Sequence, residues 1–459
     1  MLRKLSLTHV GPAARLEMNP VAERFNLITG DNGLGKSFLL ELAWWALTRT
    51  WAGSPAVPAS QDDAEIGFAF DSDAGKALAP QPARWDRKAQ DWKRKAGRPP
   101  NPGLVLYARV DGSFSVWDPM RNYALYTRQD GAKEEYVHAF HFSPDAVLSG
   151  LRREGTGAVL CKGLLDEWTL WQLSGDPAFA LLGRLLASLG PEGAPLTPGQ
   201  PARPYAGDDQ LVPTIRMPYG QDVPITFAPA GVQRIVKLAY LLAWALSAHE
   251  REARIKAMPV SRQVILLLDE PETHLHPRWQ RTVLRSLYDA VSGWRGGEGA
   301  DVQCLVATHS PLVLASMEPV FDPMKDALWK LDLHEGAVTM ERDVWRKRGD
   351  ANMWLVSEDV LDPFEIGDGW FALDLNSFKT VVGPQAPPER SDAITATIKR
   401  LGLDSAEVAE TRRRAANAYW SPPAGKPPVP LWFLEENQPF VARELRRQGR
   451  LRPEDLPPS

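Results

Sequence analysis

One octapeptide constrains this chain more than any other segment: Gly30-Asp31-Asn32-Gly33-Leu34-Gly35-Lys36-Ser37. It satisfies the pattern G-x-x-x-x-G-K-[ST]. It stands between a short apolar run, Phe25 to Thr29, and the stretch Lys36 to Thr48, KSFLLELAWWALT, which is apolar nearly all round. A strand, a glycine-rich turn and a helix in that order make a phosphate cradle. Glycines let successive backbone N–H groups face one anion, and the helix N-terminus adds partial positive charge. The loop from Gly30 to Ser37 is therefore expected to bind a nucleotide, with Lys36 reaching the β- and γ-phosphates and Ser37 ligating Mg²⁺. The helix should be buried, since no side of it is polar.

A second motif is VILLLDEPETHLHP, residues 264–277. A continuous apolar strand ending in Asp269 delivers a carboxylate to Mg²⁺ at the C-terminal edge of a parallel sheet. The next residue, Glu270, is expected to act on the water that attacks the γ-phosphate. A third motif is Thr308-His309-Ser310-Pro311, after the apolar run Leu305 to Ala307 and 40 residues beyond Asp269. An imidazole there can hydrogen-bond a γ-phosphate oxygen. His274 and His276 flank the Asp-Glu loop and read as structural or dimer-facing, in preference to metal ligands.

Together the runs GDNGLGKS, LDEPETHLHP and ATHSP resemble the ABC-type ATPase heads of the SMC, RecF and OLD branch. Kinases and small GTPases lack the Asp-Glu pair followed by a switch histidine. The resemblance implies an α/β P-loop NTPase fold with a β-rich lobe, a helical lobe and a C-terminal extension. It implies ATP and Mg²⁺ as cofactors and a dimer or higher oligomer with nucleotide sites completed in trans. The head is expected over residues 1–320, with an inserted lobe at about 51–225. Residues 321–459 are expected to form an α-rich extension that serves as a partner or assembly surface. The family's trans-acting loop maps onto Ala228-Pro229-Ala230-Gly231-Val232-Gln233-Arg234. There Pro229 replaces the usual Ser and Ala230 the first Gly, while Gly231 keeps a backbone donor at a helix start. This departure implies slow hydrolysis. The family's glutamine loop has no assignable position.

Composition narrows the partners. The 459 residues carry 53 Lys+Arg against 57 Asp+Glu, a net charge of −4, which excludes a globally basic nucleic-acid coat. Two cysteines, Cys161 and Cys304, are too few for a disulfide framework. The N-terminus lacks a signal-peptide apolar core, and the longest apolar stretch, Ile235 to Ala248, contains Lys237. A cytoplasmic protein without membrane contact is expected. One local exception is RWDRKAQDWKRKAGR, residues 84–98, where Arg84, Arg87, Lys88, Lys93, Arg94, Lys95 and Arg98 interleave with Trp85 and Trp92. Such a mixture suits phosphate neutralisation and base stacking, while the favoured reading is a solvated loop.

Elsewhere the sequence suggests a strand at Glu65 to Phe70, a hairpin over 104–118 turning at Asp111-Gly112, and helices from Leu164 to Leu189 broken near Gly175. A hairpin over 212–227, a long helix Val232 to Arg251 and a helix Ser391 to Ala418 follow. Beyond Met317 the patterns weaken. The tail offers only LWFLEEN, residues 431–437, and Asp374 as echoes of the nuclease module of OLD proteins, with no Asp-x-Asp pair. The segments HFSPDAVLSGL, DEWTLWQ and GDANMWLVSEDVL are similar to stand-alone bacterial ATPases encoded beside nucleases or toxins in anti-phage systems. The expected function is thus an ATPase that senses for, or regulates, a separately encoded effector in bacterial defence. The alternative is a RecF/SMC-like ATP-dependent DNA clamp in repair, and a transporter ATPase fits the motifs less well.

Overall fold

The structure is a computed structural model. It describes residues 1–58, 63–93, 100–122, 139–153, 155–190, 195–207, 209–295, 299–334, 336–343, 369–400, 403–421 and 427–455. The chain divides into two units, Met1–Arg348 and Gly349–Ser459.

The first unit is built on two sheets. Strands β1 (Leu2–Thr8), β2 (Arg15–Met18), β4 (Glu65–Phe70), β5 (Gln81–Asp86) and β6 (Asp91–Trp92) form an antiparallel sheet in the order β2-β1-β4-β5-β6. The larger sheet has a parallel centre. It runs from β14 (Ala327–His334) through β3 (Phe25–Thr29), β13 (Asp301–Ala307) and β12 (Gln263–Asp269) to β7 (Leu104–Ala108). Antiparallel strands close it at both edges: β15 (Ala337–Asp343) beside β14, and β8 (Phe114–Trp117) then β9 (Phe140–Phe142) beyond β7.

Helix α1 (Lys36–Thr48) lies in the apolar layer that joins the two sheets, and ten of its residues are buried, including Trp44 and Trp45. Its all-round apolar sequence is explained by that position. On β12, Ile265 and Leu267 face this layer, while Val264, Leu266 and Leu268 face the opposite core beneath the other helices. A strand buried on both faces needs a continuous apolar run rather than alternation.

The second core is covered by α2 (Leu164–Ser174), α3 (Pro177–Leu189), α4 (Ala230–Ile255), α5 (Val283–Ser292) and α6 (Pro311–Met317). The expected break at Gly175 is a left-handed cap at φ 68°. Asp176 then opens α3 by accepting from Ala178 N, with Pro177 in the first turn. A hairpin of β10 (Thr214–Arg216) and β11 (Asp222–Pro224) precedes α4.

Two domain expectations need correction. The head does not end at 320, because β14 and β15 are integral to its larger sheet and the unit runs to Arg348. Residues 51–225 are not one inserted lobe. Of their strands, β4 to β9 complete both sheets, while β10 and β11 belong to neither, and α2 and α3 cover the second core.

The second unit contains a hairpin, β16 (Phe371–Leu373) with β17 (Thr380–Val382), and helices α7 (Ser391–Arg400), α8 (Ala406–Trp420), α9 (Leu431–Asn437) and α10 (Pro439–Arg447). The single helix expected from Ser391 to Ala418 is two helices. LWFLEEN is helical, so Glu435 does not end a strand. The segment 349–361 and the basic residues Arg94, Lys95 and Arg98 lie outside the described residues. Among the described residues no helix is long and apolar enough to cross a membrane.

Candidate nucleotide-binding site

The C-terminal ends of β3, β12 and β13 meet at one edge of the larger sheet, so the three motifs converge although up to 273 residues separate them in the chain (36 to 309). The loop Gly30–Gly35 follows β3 and turns into α1. Gly30 has φ 144°, and a Cβ there would stand 2.5 Å from the Leu331 carbonyl of β14. Gly35 has φ 97°, and a Cβ would meet Pro12 of the β1–β2 turn at 2.8 Å. Both glycines are required by backbone conformation and by crowding.

Lys36 is almost wholly buried, and its Nζ donates to Gly30 O at 2.8 Å and Asp31 O at 3.0 Å. The ammonium therefore sits within the curl of the loop, on the surface a phosphate would meet. Ser37 Oγ donates to Asp269 Oδ1 at 2.9 Å, bringing the two expected metal ligands together. Asp269 is 3% exposed, and its carboxyl is pushed up to about 6. Burial is the main cause; the Ser37 hydrogen bond opposes it, while Glu270 and Glu41 add to it. A buried carboxylate beside a serine hydroxyl is a hard-oxygen pair suited to Mg²⁺, which takes few protein ligands and fills its sphere with phosphate and water. Among the described residues no group of three or more His, Cys, Asp or Glu is arranged around a metal position.

Glu270 leaves the strand at φ 45°, with its N–H still paired to Ala307 O at 2.9 Å. That left-handed turn aims its side chain at the switch residue, and His309 Nδ1 lies 3.1 Å from Glu270 Oε1. His309 is held on both sides. Thr308 N–H bonds Ile28 O of β3, and its hydroxyl donates to the buried Glu272 carboxylate at 2.5 Å. Ser310 caps α6 and donates to Gln280 Oε1 at 2.9 Å. Burial raises the Glu272 carboxyl, and the Thr308 hydrogen bond opposes that.

The loop expected to act in trans departs from expectation in detail. Pro229 and Ala230 are exposed at the start of α4, with Phe227 52% exposed beside them. Gly231 is instead buried: a Cβ there would stand 2.9 Å from the His274 carbonyl and 3.2 Å from the Trp279 ring. His274 thus serves the packing of this turn, at φ 65°, and His276 caps the turn Pro277–Gln280.

The basic segment also differs. Trp92 is 1% exposed, donates Nε1–H to Ala56 O at 2.8 Å and packs edge-on against Trp85. Trp92 belongs to the core and is closed to stacking, while Trp85 packs half-buried against it. Arg84 pairs with Glu65 and Lys93 with Asp86, so the exposed charge of the hairpin is partly neutralised.

Two elements at the site were not anticipated. Lys330, on β14, lines a cavity of about 450 Å³ with Gly30, Asp31, Asn32 and His309. Its position depends on β14, whose alternating pattern was diluted by Lys330, Asp332 and His334. At the end of β7, beside the Asp269 strand, Arg109 Nε donates to Glu41 Oε1 at 2.9 Å and Nη1 to Ser113 Oγ at 3.0 Å. The half-buried Arg234 donates Nη2–H to Arg109 O at 2.7 Å.

A parallel sheet that brings a glycine-rich G-x-x-x-x-G-K-S loop, an Asp-Glu pair and a histidine to one edge is the arrangement of a P-loop α/β fold. Comparison with known proteins adds particulars. Residues 167–315 match the family described as "AAA domain, putative AbiEii toxin, Type IV TA system". The chain is similar to the "Retron Vc95 probable ATPase" of Vibrio cholerae, 36% identical over 59 residues, which are 13% of this chain and 10% of the relative. It is also similar to "Protein ea59" of Escherichia phage lambda, 30% identical over 101 residues, 22% of this chain and 17% of that one. The chain thus matches less than a fifth of either relative's length. Among solved structures, an SMC head bound to the C-winged helix domain of ScpA matches at 15% identity and TM-score 0.40, covering 75% of this chain and 98% of that one. The SMC head domain from Thermotoga maritima matches at 16% identity and TM-score 0.37, covering 75% and 99%.

Proposed function

We propose that this chain is a Mg²⁺-dependent ATP switch that hydrolyses ATP slowly and controls a separately encoded effector in bacterial anti-phage defence. The observation that carries the chemistry is the pairing of Ser37 with Asp269 and of Glu270 with His309 at the mouth of one glycine-rich loop. Loop amides and Lys36 bind the phosphates. Ser37 and Asp269 hold the divalent cation, which when bound neutralises charge on the phosphate oxygens. Glu270 accepts the proton of the water whose oxygen attacks the γ-phosphorus, and ADP leaves with the bridging oxygen. His309 fixes the orientation of Glu270 and adjoins the loop.

Two copies are proposed to meet through the α4 start, where Phe227, Pro229 and Ala230 are exposed. With neither a serine nor an exposed glycine at that tip, the contact with a γ-phosphate in trans is weak, which accounts for slow turnover. The second unit is assigned to assembly or to the effector. The defence context is supported by the words "Retron" and "Type IV TA system" in the descriptions of similar proteins. An ATP-dependent dimer that persists in Glu270→Gln and dissociates in wild type on the timescale of phosphate release is the expected result. Monomers under all nucleotide conditions would overturn the switch.

A further inference from the structure

Strand β14 overruns β3 at the edge where the glycine-rich loop begins. The two strands run parallel with Lys330 opposite Thr29, the last residue of β3. From there β14 continues for four more residues, Leu331 to His334. The loop therefore leaves its strand directly beside Lys330, which lines one cavity with Gly30, Asp31, Asn32 and His309.

The backbone at Lys330 is fixed, while its side chain is not. Trp329 and Leu331, 3% and 1% exposed, anchor the strand on either side of it. Trp329 Nε1 donates to Asn26 Oδ1 of β3 at 3.2 Å, and the Leu331 carbonyl packs against Gly30. Lys330 alternates to the other face. Its Nζ donates to Asp332 Oδ2 at 2.7 Å, two residues along the same strand, and both side chains are more than 40% exposed. Water screens such a pair, so it holds its partners weakly. The ammonium can exchange this carboxylate for a more highly charged anion.

Donors for a γ-phosphate are otherwise few. The α4 start brings Pro229 and Ala230 to its exposed tip, with no hydroxyl between them. His309, on the same cavity wall as Lys330, is turned through Nδ1 to Glu270. We propose that Lys330 leaves Asp332 when ATP binds and places its ammonium on an outer γ-phosphate oxygen, supplying in cis the contact that the α4 start lacks. Lys36 spans the β- and γ-phosphates, whereas Lys330 meets the γ-phosphate alone. Lys330 is thus a residue that favours ATP over ADP. This assignment rests on the ATP-switch reading and adds a residue to the same site.

The test is calorimetric titration of Glu270→Gln, in which ATP persists, with Mg²⁺-ATP and separately with Mg²⁺-ADP. Lys330→Gln, which keeps the length and removes the charge, is added to that background. ATP affinity should fall at least about tenfold, the loss of one hydrogen bond between charged groups. ADP affinity should stay within about threefold. Lys330→Arg should recover most of the loss, because a phosphate oxygen accepts from either cation. Asp332→Asn, which frees the ammonium, should tighten ATP binding when Lys330 is present and have no effect in Lys330→Gln. A residue that only shaped the strand end would weaken both nucleotides together. Equal losses for ATP and ADP, or an ATP affinity indifferent to Lys330→Gln, overturn the proposal and leave the ATP switch standing. Absence of ATP binding by the parent Glu270→Gln protein overturns the switch, and this proposal with it.

Discussion

His309 Nδ1 stands 3.1 Å from Glu270 Oε1, so the two residues expected to act on the γ-phosphate are partners before any phosphate is considered. An ionised carboxylate only accepts, so the shared proton belongs to Nδ1 and leaves Nε2 as the atom free to face elsewhere. Glu270→Gln retains an acceptor for Nδ1–H and loses the base. It should keep ATP affinity within about threefold while phosphate release falls by roughly 10²–10⁴. His309→Ala keeps the base and frees its orientation, so it should lower kcat with ATP affinity again preserved. Phosphate-release assays beside calorimetry check both, and unaltered turnover in Glu270→Gln would assign the water to another residue.

Asp269 sets a pH dependence whose sign is opposite to that of most ion-paired carboxylates. Its carboxyl rises from 3.8 to about 6 on folding, mainly through burial. Between those values the folded chain binds the extra proton, so stability falls as pH rises through this window. At neutral pH the cost is on the order of 3 kcal/mol. Asp269→Asn cannot ionise. Without nucleotide it should melt higher than wild type at neutral pH, with the gap closing below about pH 4. Mg²⁺ with ATP should stabilise wild type and not the variant. Superimposable melting curves across that range would contradict the assignment.

Lys36 is tied to two loop carbonyls, Gly30 O and Asp31 O. Lys36→Ala removes these bonds at a cost of about 1–2 kcal/mol, while removing the single mobile charge that meets the β- and γ-phosphates. Loss of measurable ATP binding with a melting temperature within a few degrees of wild type is expected. Retained ATP affinity by calorimetry would refute the loop's role.

The sequence made the site legible where chemistry and local structure coincide. The octapeptide, the apolar strand before Asp269 and the helix from Lys36 to Thr48 each carry a local rule, and the structure bounds α1 at those same residues. What it hid depends on distant packing. Ala327, Trp329 and Leu331 are buried on β14, yet alternating charged neighbours kept the strand, and with it Lys330, out of view. Gly231 matched a family pattern, while its burial under Trp279 follows from the turn at His274, 43 residues on. Trp92 in the basic run was hidden for the same reason: composition cannot tell an exposed tryptophan from one whose indole N–H is already bonded to Ala56.

Trp92 separates the two readings of the basic hairpin most cleanly. A stacking residue would lose nucleic-acid affinity on truncation and leave stability alone. Trp92 instead fills the core beside Trp45 and Trp85, with ring centroids 6.4 Å and 5.3 Å away, and its N–H is satisfied by Ala56 O. Trp92→Ala should therefore cost about 3–5 kcal/mol, seen as a lowered melting temperature and a lower denaturant midpoint. The exposed Lys88 and Lys93 carry the opposite expectation. Surface charges far from packed contacts move stability by about 0.5 kcal/mol or less, so Lys88→Glu with Lys93→Glu should leave melting and ATP binding unchanged. Any nucleic-acid affinity of this hairpin must then come from phosphate neutralisation, falling with salt and with each charge reversed. A Trp92→Ala protein as stable as wild type would restore the indole as a surface residue.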